Sequence, residues 1–238
     1  MSTHPRDFAA VDSVVAELHR RSFGAVPCYG VHPWFLNDLL VSSAEESGAG
    51  GGAGVSSDDE WLMDLRRRLM DKEDSIVGEI GVDGARWTEV VSEDCREGDH
   101  SDESIWKREW VLACPMDLQR RAFEEQMLIA AELNRPVSIH VVRAWGELFD
   151  SLDYVKEAMR RRYLDSELGG GEPPSSEQAK KIRKKVARRR LLPPKMYFHA
   201  FSGKLGVIPS LLAACAKGNI PRKDVYFGFA PASSCAYV

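Results

Sequence analysis

Three short apolar runs in this chain each finish on a residue type that binds metal ions. They are Ser75-Ile76-Val77-Gly78-Glu79, Pro136-Val137-Ser138-Ile139-His140 and Met196-Tyr197-Phe198-His199. One carboxylate and two imidazoles, brought together, form a donor set suited to a divalent ion that assists hydrolysis. Glu79 continues into Ile80-Gly81-Val82-Asp83, so two glycines flank it and a second carboxylate follows. Glycine at such positions lets backbone or ligand come close. His32 precedes Pro33, which favours an extended backbone there. Each residue alone has a plainer reading: a strand-end Glu paired with a surface base, a hydrogen-bonded core His, a His leading into a turn at Gly203. Three ligand-type residues in series, each closing a strand-like run, are hard to obtain as separate accidents.

The runs are continuous in apolar residues rather than alternating, which predicts strands buried on both faces. The spacing predicts helices over Asp7 to Phe23, Trp61 to Leu69, Asp117 to Asn134, Trp145 to Met159 and Val207 to Cys215. Further strands are predicted over Ala25 to Val31 and Val225 to Phe229. Helix and strand therefore alternate, which means parallel strands joined by crossover helices. In a parallel β/α barrel the carboxyl edge carries the chemistry, and that is where Glu79, His140 and His199 would stand. Insertions are expected at about 42–60, 88–116 and 166–194, the first around Gly50-Gly51-Gly52. Trp106 and Trp110 in the second are expected to cover the barrel.

The chain has 238 residues, 44% of them hydrophobic, and a net charge of −4. It can bury one sizeable core, and global attraction to nucleic acid is not implied. Five cysteines without Cys-x-x-Cys spacing point to reduced thiols rather than disulfides or a zinc finger. No apolar stretch is long enough for a membrane span and no signal segment is visible, so a soluble cytoplasmic or nuclear protein is expected. Eight basic residues between Lys180 and Arg190 read first as a solvated helix. Contact with phosphates or a nuclear import signal is the second reading.

Gly30-Val31-His32-Pro33, Gly78-Glu79-Ile80-Gly81-Val82-Asp83, Pro136 to His140 and His199-Ala200-Phe201-Ser202-Gly203 resemble, in order, the motifs of the TatD family. The insertions make the chain look like a divergent eukaryotic branch. The resemblance implies a (β/α)8 barrel of the metal-dependent hydrolase type and cleavage of ester bonds, above all phosphodiesters in DNA. It implies two divalent ions (zinc, magnesium or manganese), with Glu79 bridging them and His140 and His199 on the second. His32 and Asp83 take places near the site, His32 for substrate binding and Asp83 beside Glu79 in catalysis.

The family's opening His-x-His and its late strand ending in Asp have no counterpart here, and Arg143 stands one place beyond the family's usual Arg position. A barrel needs about eight strands and about 250 residues. About five strands are readable in this sequence. The expectation is one partial barrel over 1–238, impaired by its missing ligands, with sheet edges and apolar faces that favour a protein partner. The other reading is a non-catalytic interaction protein that kept the scaffold.

Overall fold

The computed structural model of the chain describes residues 1–37, 39, 59–85, 87–93, 106–169 and 174–229. Five parallel strands form one sheet: β1 (Cys28–Tyr29), β2 (Ile76–Asp83), β5 (Val137–Val142), β6 (Met196–His199) and β7 (Val225–Phe227). They lie side by side in chain order. A sheet that never reverses its strand order is an arc of a barrel, with no switch point of the doubly wound kind. Helix α1 (Phe8–Arg20) precedes β1, and the crossovers carry helices α2 (Glu60–Asp71), α3 (Met116–Glu132), α4 (Trp145–Leu168), α5 (Ser176–Val186) and α6 (Val207–Lys217).

The first expected insertion falls largely on residues 42–58, which lie outside the described residues. The second contains an antiparallel ribbon, β3 (Trp87–Glu93) against β4 (Trp106–Leu112). The covering role expected of Trp106 and Trp110 falls outside the described side chains. In the third, α4 runs on to Leu168 and stops at Gly169, whose φ of 56° is the left-handed cap that glycine accepts most easily. Helix α5 then starts on a reciprocal cap: the Ser175 hydroxyl accepts from the Gln178 N–H, and the Ser175 N–H donates to the Gln178 side chain.

The helix-facing side of the sheet is the core. Val77, Ile80, Val82, Val137, Ile139, Val141, Met196 and Phe198 are all buried there. Helix α3 covers them with Phe123, Met127 and Ala130, and α4 with Leu148, Leu152 and Val155. Two buried glutamines on α3 tie strand ends to the helix. Gln126 accepts from the Val31 N–H and donates to the Val31 carbonyl. Gln119 does the same for Asp83. Each satisfies a backbone donor and acceptor that would otherwise be buried unpaired.

Strand β2 is irregular where the chemistry lies. Val77 pairs with Val137 but Ile80 pairs with Ile139, so β2 spends one extra residue between those rungs. Side chains alternate along a strand, so Val77 and Glu79 would otherwise share a face. The extra residue resets the alternation. Val77, Ile80 and Val82 all reach the core, while Glu79, Gly81 and Asp83 face the other way. Gly81 pairs with His140, and a Cβ there would stand 1.8 Å from the His140 carbonyl oxygen. We expect Gly81→Ala to force β2 and β5 apart and cost about 2 kcal/mol or more in urea unfolding. Gly146→Ala, with nothing within 4 Å of the added methyl, should stay within about 1 kcal/mol of wild type, on the stabilising side.

Candidate metal centre

The carboxyl ends of β2, β5 and β6 meet the turn after β1 in a cavity of about 580 Å³, lined among others by His32, Trp34, Glu79, His140, His199 and Ser202. In-register pairing sets the layout. Gly81 is opposite His140, and His140 is opposite His199. Glu79 and Asp83 sit two residues either side of Gly81, and the His140 ring lies between them. Its Nδ1 is 3.1 Å from Glu79 Oε1 and its Nε2 is 3.1 Å from Asp83 Oδ2. His199 Nε2 is 3.3 Å from the same Glu79 oxygen, and His32 Nε2 is 3.7 Å from it. Glu79 Oε1 is thus the point on which three imidazoles converge.

Asp83 is enclosed. Oδ2 also accepts from the Trp34 indole at 2.7 Å, and Oδ1 accepts from the Ala85 N–H at 2.7 Å. Burial pushes the Asp83 carboxyl up, but the bonds from His140, Ala85 and Trp34 outweigh it and bring it down to about 2. The Glu79 carboxyl is likewise raised by burial and lowered further by the His140 bond and the nearby imidazoles, ending below its usual value. The two central histidines are driven apart. Burial lowers His140, but its bonds to Asp83 and Glu79 lift it to about 9. Burial and the charge of His140 take His32 down to about 4, against the pull of Glu79 and Asp83.

Donor atoms bound to one ion at about 2.0–2.2 Å stand roughly 3–3.6 Å apart. His140 Nδ1 and His199 Nε2 each stand at that spacing from Glu79 Oε1. Among the described residues the three donors that lie within 4.8 Å of one another are those of His32, Glu79 and His140. His32 is the poorer ligand. Its Nδ1 accepts from the Trp34 N–H at 3.2 Å. A neutral imidazole with Nδ1 accepting carries its proton on Nε2, the atom that faces Glu79. That atom is a hydrogen-bond donor and has no lone pair for an ion. The residues present therefore offer a divalent ion the Glu79 carboxylate and the His140 imidazole, with His199 and His32 both close to the same carboxylate oxygen. Among the described residues no thiol competes: Cys28 and Cys114 are pushed up to about 12 by burial, and Cys215 to about 11.

A family described as TatD related DNase matches residues 1–233. The chain belongs to the TatD-related DNase family. The Cut9-interacting protein scn1 of Schizosaccharomyces pombe is 25% identical over 239 residues, covering 90% of this chain and 66% of that protein. The crystal structure of an uncharacterized amidohydrolase from Saccharomyces cerevisiae superposes with a TM-score of 0.51 at 17% identity, over 96% of this chain and 62% of that one. The chain thus spans a little under two thirds of each relative's length. The superposition bears out the barrel-type architecture of this TatD-family chain.

The structure brings all five expected residues, His32, Glu79, Asp83, His140 and His199, to one end of the sheet. Asp83 stands behind His140 and does not line the cavity. The residue not foreseen is Trp34, whose indole closes the Asp83 shell and whose ring packs edge-on against His32 and His140. Its place directly after His32-Pro33 was the available signal.

The charge cluster gives the metal-free protein a pH signature. The His140 pKa is about 9 folded and about 6.5 unfolded. The stabilisation is full below the unfolded value and is lost as pH rises through about 9. Asp83 is depressed, so its contribution holds above its unfolded value and is lost as pH falls through about 2. Denaturation midpoints of metal-free protein should therefore fall between pH 7 and 9.5. His140→Gln should be flat over that interval, and an equal decline in the variant would contradict this assignment.

Proposed function

We propose that this site hydrolyses phosphodiester bonds in DNA with one divalent ion on Glu79, His140 and His199. The observation that carries the reading is the convergence of those side chains on one buried carboxylate oxygen at the open end of the sheet. Membership of the TatD-related DNase family supports the substrate class. When bound, the ion supplies Lewis acidity toward phosphoryl oxygens and lowers the pKa of water beside it. A mixed His and carboxylate set accepts zinc, manganese or magnesium.

The chain's own residues prepare that chemistry. Asp83 holds a proton on His140 Nε2, which fixes the tautomer and leaves Nδ1 facing Glu79. Trp34 and Ala85 keep the Asp83 carboxylate charged and immobile. Asp83 thus acts through His140 as a positioning residue. His32 stays neutral at physiological pH and presents Nε2–H to the cavity, where it can donate to a phosphate oxygen. Among the described residues the one cluster of three mutually close donors is that of His32, Glu79 and His140. We therefore propose a single ion for residues 1–238, and slow turnover compared with a two-ion site.

The test is metal content by mass spectrometry together with release of labelled fragments from duplex DNA in manganese, magnesium or zinc. Glu79→Gln and His140→Ala should lose both the ion and the turnover. Asp83→Asn should weaken metal affinity by about 10–100-fold. His32→Ala should keep the ion and lose turnover; loss of the ion in that variant would overturn its reading as a donor. A second reading, a non-catalytic interaction protein, is favoured by the name of the fission-yeast relative, which records an interaction with Cut9. Stoichiometric metal without cleavage of any ester would select it.

A further inference from the structure

The basic residues that read first as a solvated helix form a built surface at the far end of the sheet from the metal centre. Lys181, Lys184, Lys185, Arg188 and Arg189 line a groove of about 410 Å³. Their spacing is i, i+3, i+4, i+7 and i+8, so they lie along one face of α5 and the turn that follows it. The surrounding loops fix that turn. The Asn219 amide donates to the carbonyls of Ala187 and Arg189, the Leu191 N–H donates to the Gly218 carbonyl, and Arg190 donates to Asn134. Asn134 precedes β5, and Gly218 and Asn219 precede β7. The groove is therefore at the amino ends of the strands, while the imidazoles stand at their carboxyl ends.

Little opposes the charge. Lys185 and Arg189 share Glu167, at 2.7 and 3.6 Å, and Lys181 meets the exposed Glu177 at 3.0 Å. Exposed pairs of this kind are worth little. Among the described residues no acidic group lies within ion-pair distance of Lys184 or Arg188. Among the described residues the five cations face solvent with two carboxylates, Glu167 and Glu177, against them.

We propose that this groove binds the phosphate backbone of duplex DNA, as a second site apart from the metal centre and independent of turnover. From Lys181 to Arg188 the helical rise covers roughly 10 Å, over which one strand of a duplex carries about three phosphates. Three of the five cations are lysines, a type depleted at protein–protein interfaces and suited to phosphate as a point charge. The nearby ring, Tyr163, lies under the Arg189 guanidinium at 5.7 Å and is not offered to a base. The chemistry is that of sequence-independent backbone contact.

The experiment uses the whole chain in EDTA, so that no hydrolysis intervenes, and a fluorescent 20-base-pair duplex followed by anisotropy across a potassium chloride series. Lys181→Glu/Lys184→Glu/Arg188→Glu should weaken binding by about tenfold or more and make the slope of log K against log salt shallower by about 2–3. Lys181→Arg/Lys184→Arg/Lys185→Arg should bind as wild type, which separates lost charge from lost folding. A control with the same charge change on α1 and α2, Arg20→Glu/Arg21→Glu/Arg67→Glu, should lose no more than twofold. Wild-type affinity in the first variant, or an equal loss in the control, overturns the proposal. So does displacement of the duplex by polyglutamate at equal charge concentration, which would reassign the groove to acidic polypeptides. Binding that persists in Glu79→Gln while cleavage is absent would separate this groove from the hydrolytic reading.

Discussion

One extra residue in β2 sets the geometry of the site. A strand alternates strictly, and the segment from Val77 to Asp83 carries apolar residues that must face the helices and carboxylates that must not. No regular register satisfies both. Val77 and Glu79 are two apart, so an undisturbed strand that buries one against the helices buries the other there as well. The irregularity between the Val77 and Ile80 rungs resolves the conflict. It releases Glu79, Gly81 and Asp83 together to the open face, at the cost of one unpaired position. Gly81 is part of the same solution, because the rung opposite His140 has no room for a Cβ. The pattern Gly-Glu-Ile-Gly-Val-Asp is therefore one device for turning a bulged strand into two inward carboxylates with an imidazole between them.

That arrangement explains how so many ionisable groups share a poorly solvated space. A lone buried carboxylate or imidazolium is costly. Here each charge is met by an opposite one or by a fixed donor, and among the described residues no buried side-chain polar atom lacks a partner. The same packing separates two imidazoles whose rings are 4.4 Å apart. His140 lies between two carboxylates and is lifted to about 9 against its burial, while burial, and then the charge of His140, take His32 down to about 4. Environments that push neighbouring titratable groups in opposite directions give them different roles. One becomes a group that keeps its proton in a hydrogen bond to Asp83. The other becomes a neutral donor whose proton position is set by the Trp34 backbone.

The sequence made the strands and their ends legible because a buried parallel strand is a short apolar run, and a ligand that closes it stands out. The order of the runs gave the barrel arc, and Glu79, His140 and His199 could be named from where their strands stop. Features that depend on pairing between distant segments were hidden. The bulge is a property of β2 against β5, and the break in alternation between Val77 and Ile80 is its one trace in β2 alone. Asp83 read as a second carboxylate in the site, but its enclosure by Trp34 and Ala85 needs the turn after β1 folded back over β2. The ribbon of β3 and β4 was hidden by its charge. Glu89 and Glu93 in one strand and the run Lys107-Arg108-Glu109 in the other make a two-stranded segment that looks like polar linker until its strands are paired. Helix α5 did carry a local signal, Ser175 followed three residues later by Gln178, which the basic run beside it obscured.

Chain topology also decides what each excursion from the barrel can do. Strand β2 leaves the site at Asp83, and the β3–β4 ribbon begins at Trp87, on the connection that follows a strand. Connections of that kind border the reaction space in β/α barrels, so variation there changes what reaches the ion. Helix α5 lies on a connection that precedes a strand, between α4 and β6. Variation there leaves the reaction space untouched and can add a charged surface without disturbing Glu79 or its imidazoles. The placement of the five cations at that end, and of every described donor for the ion at the other, follows from the parallel strand order. A single fold therefore keeps the geometry of the proposed hydrolytic site separate from the proposed phosphate-binding surface, whose only requirement is charge density.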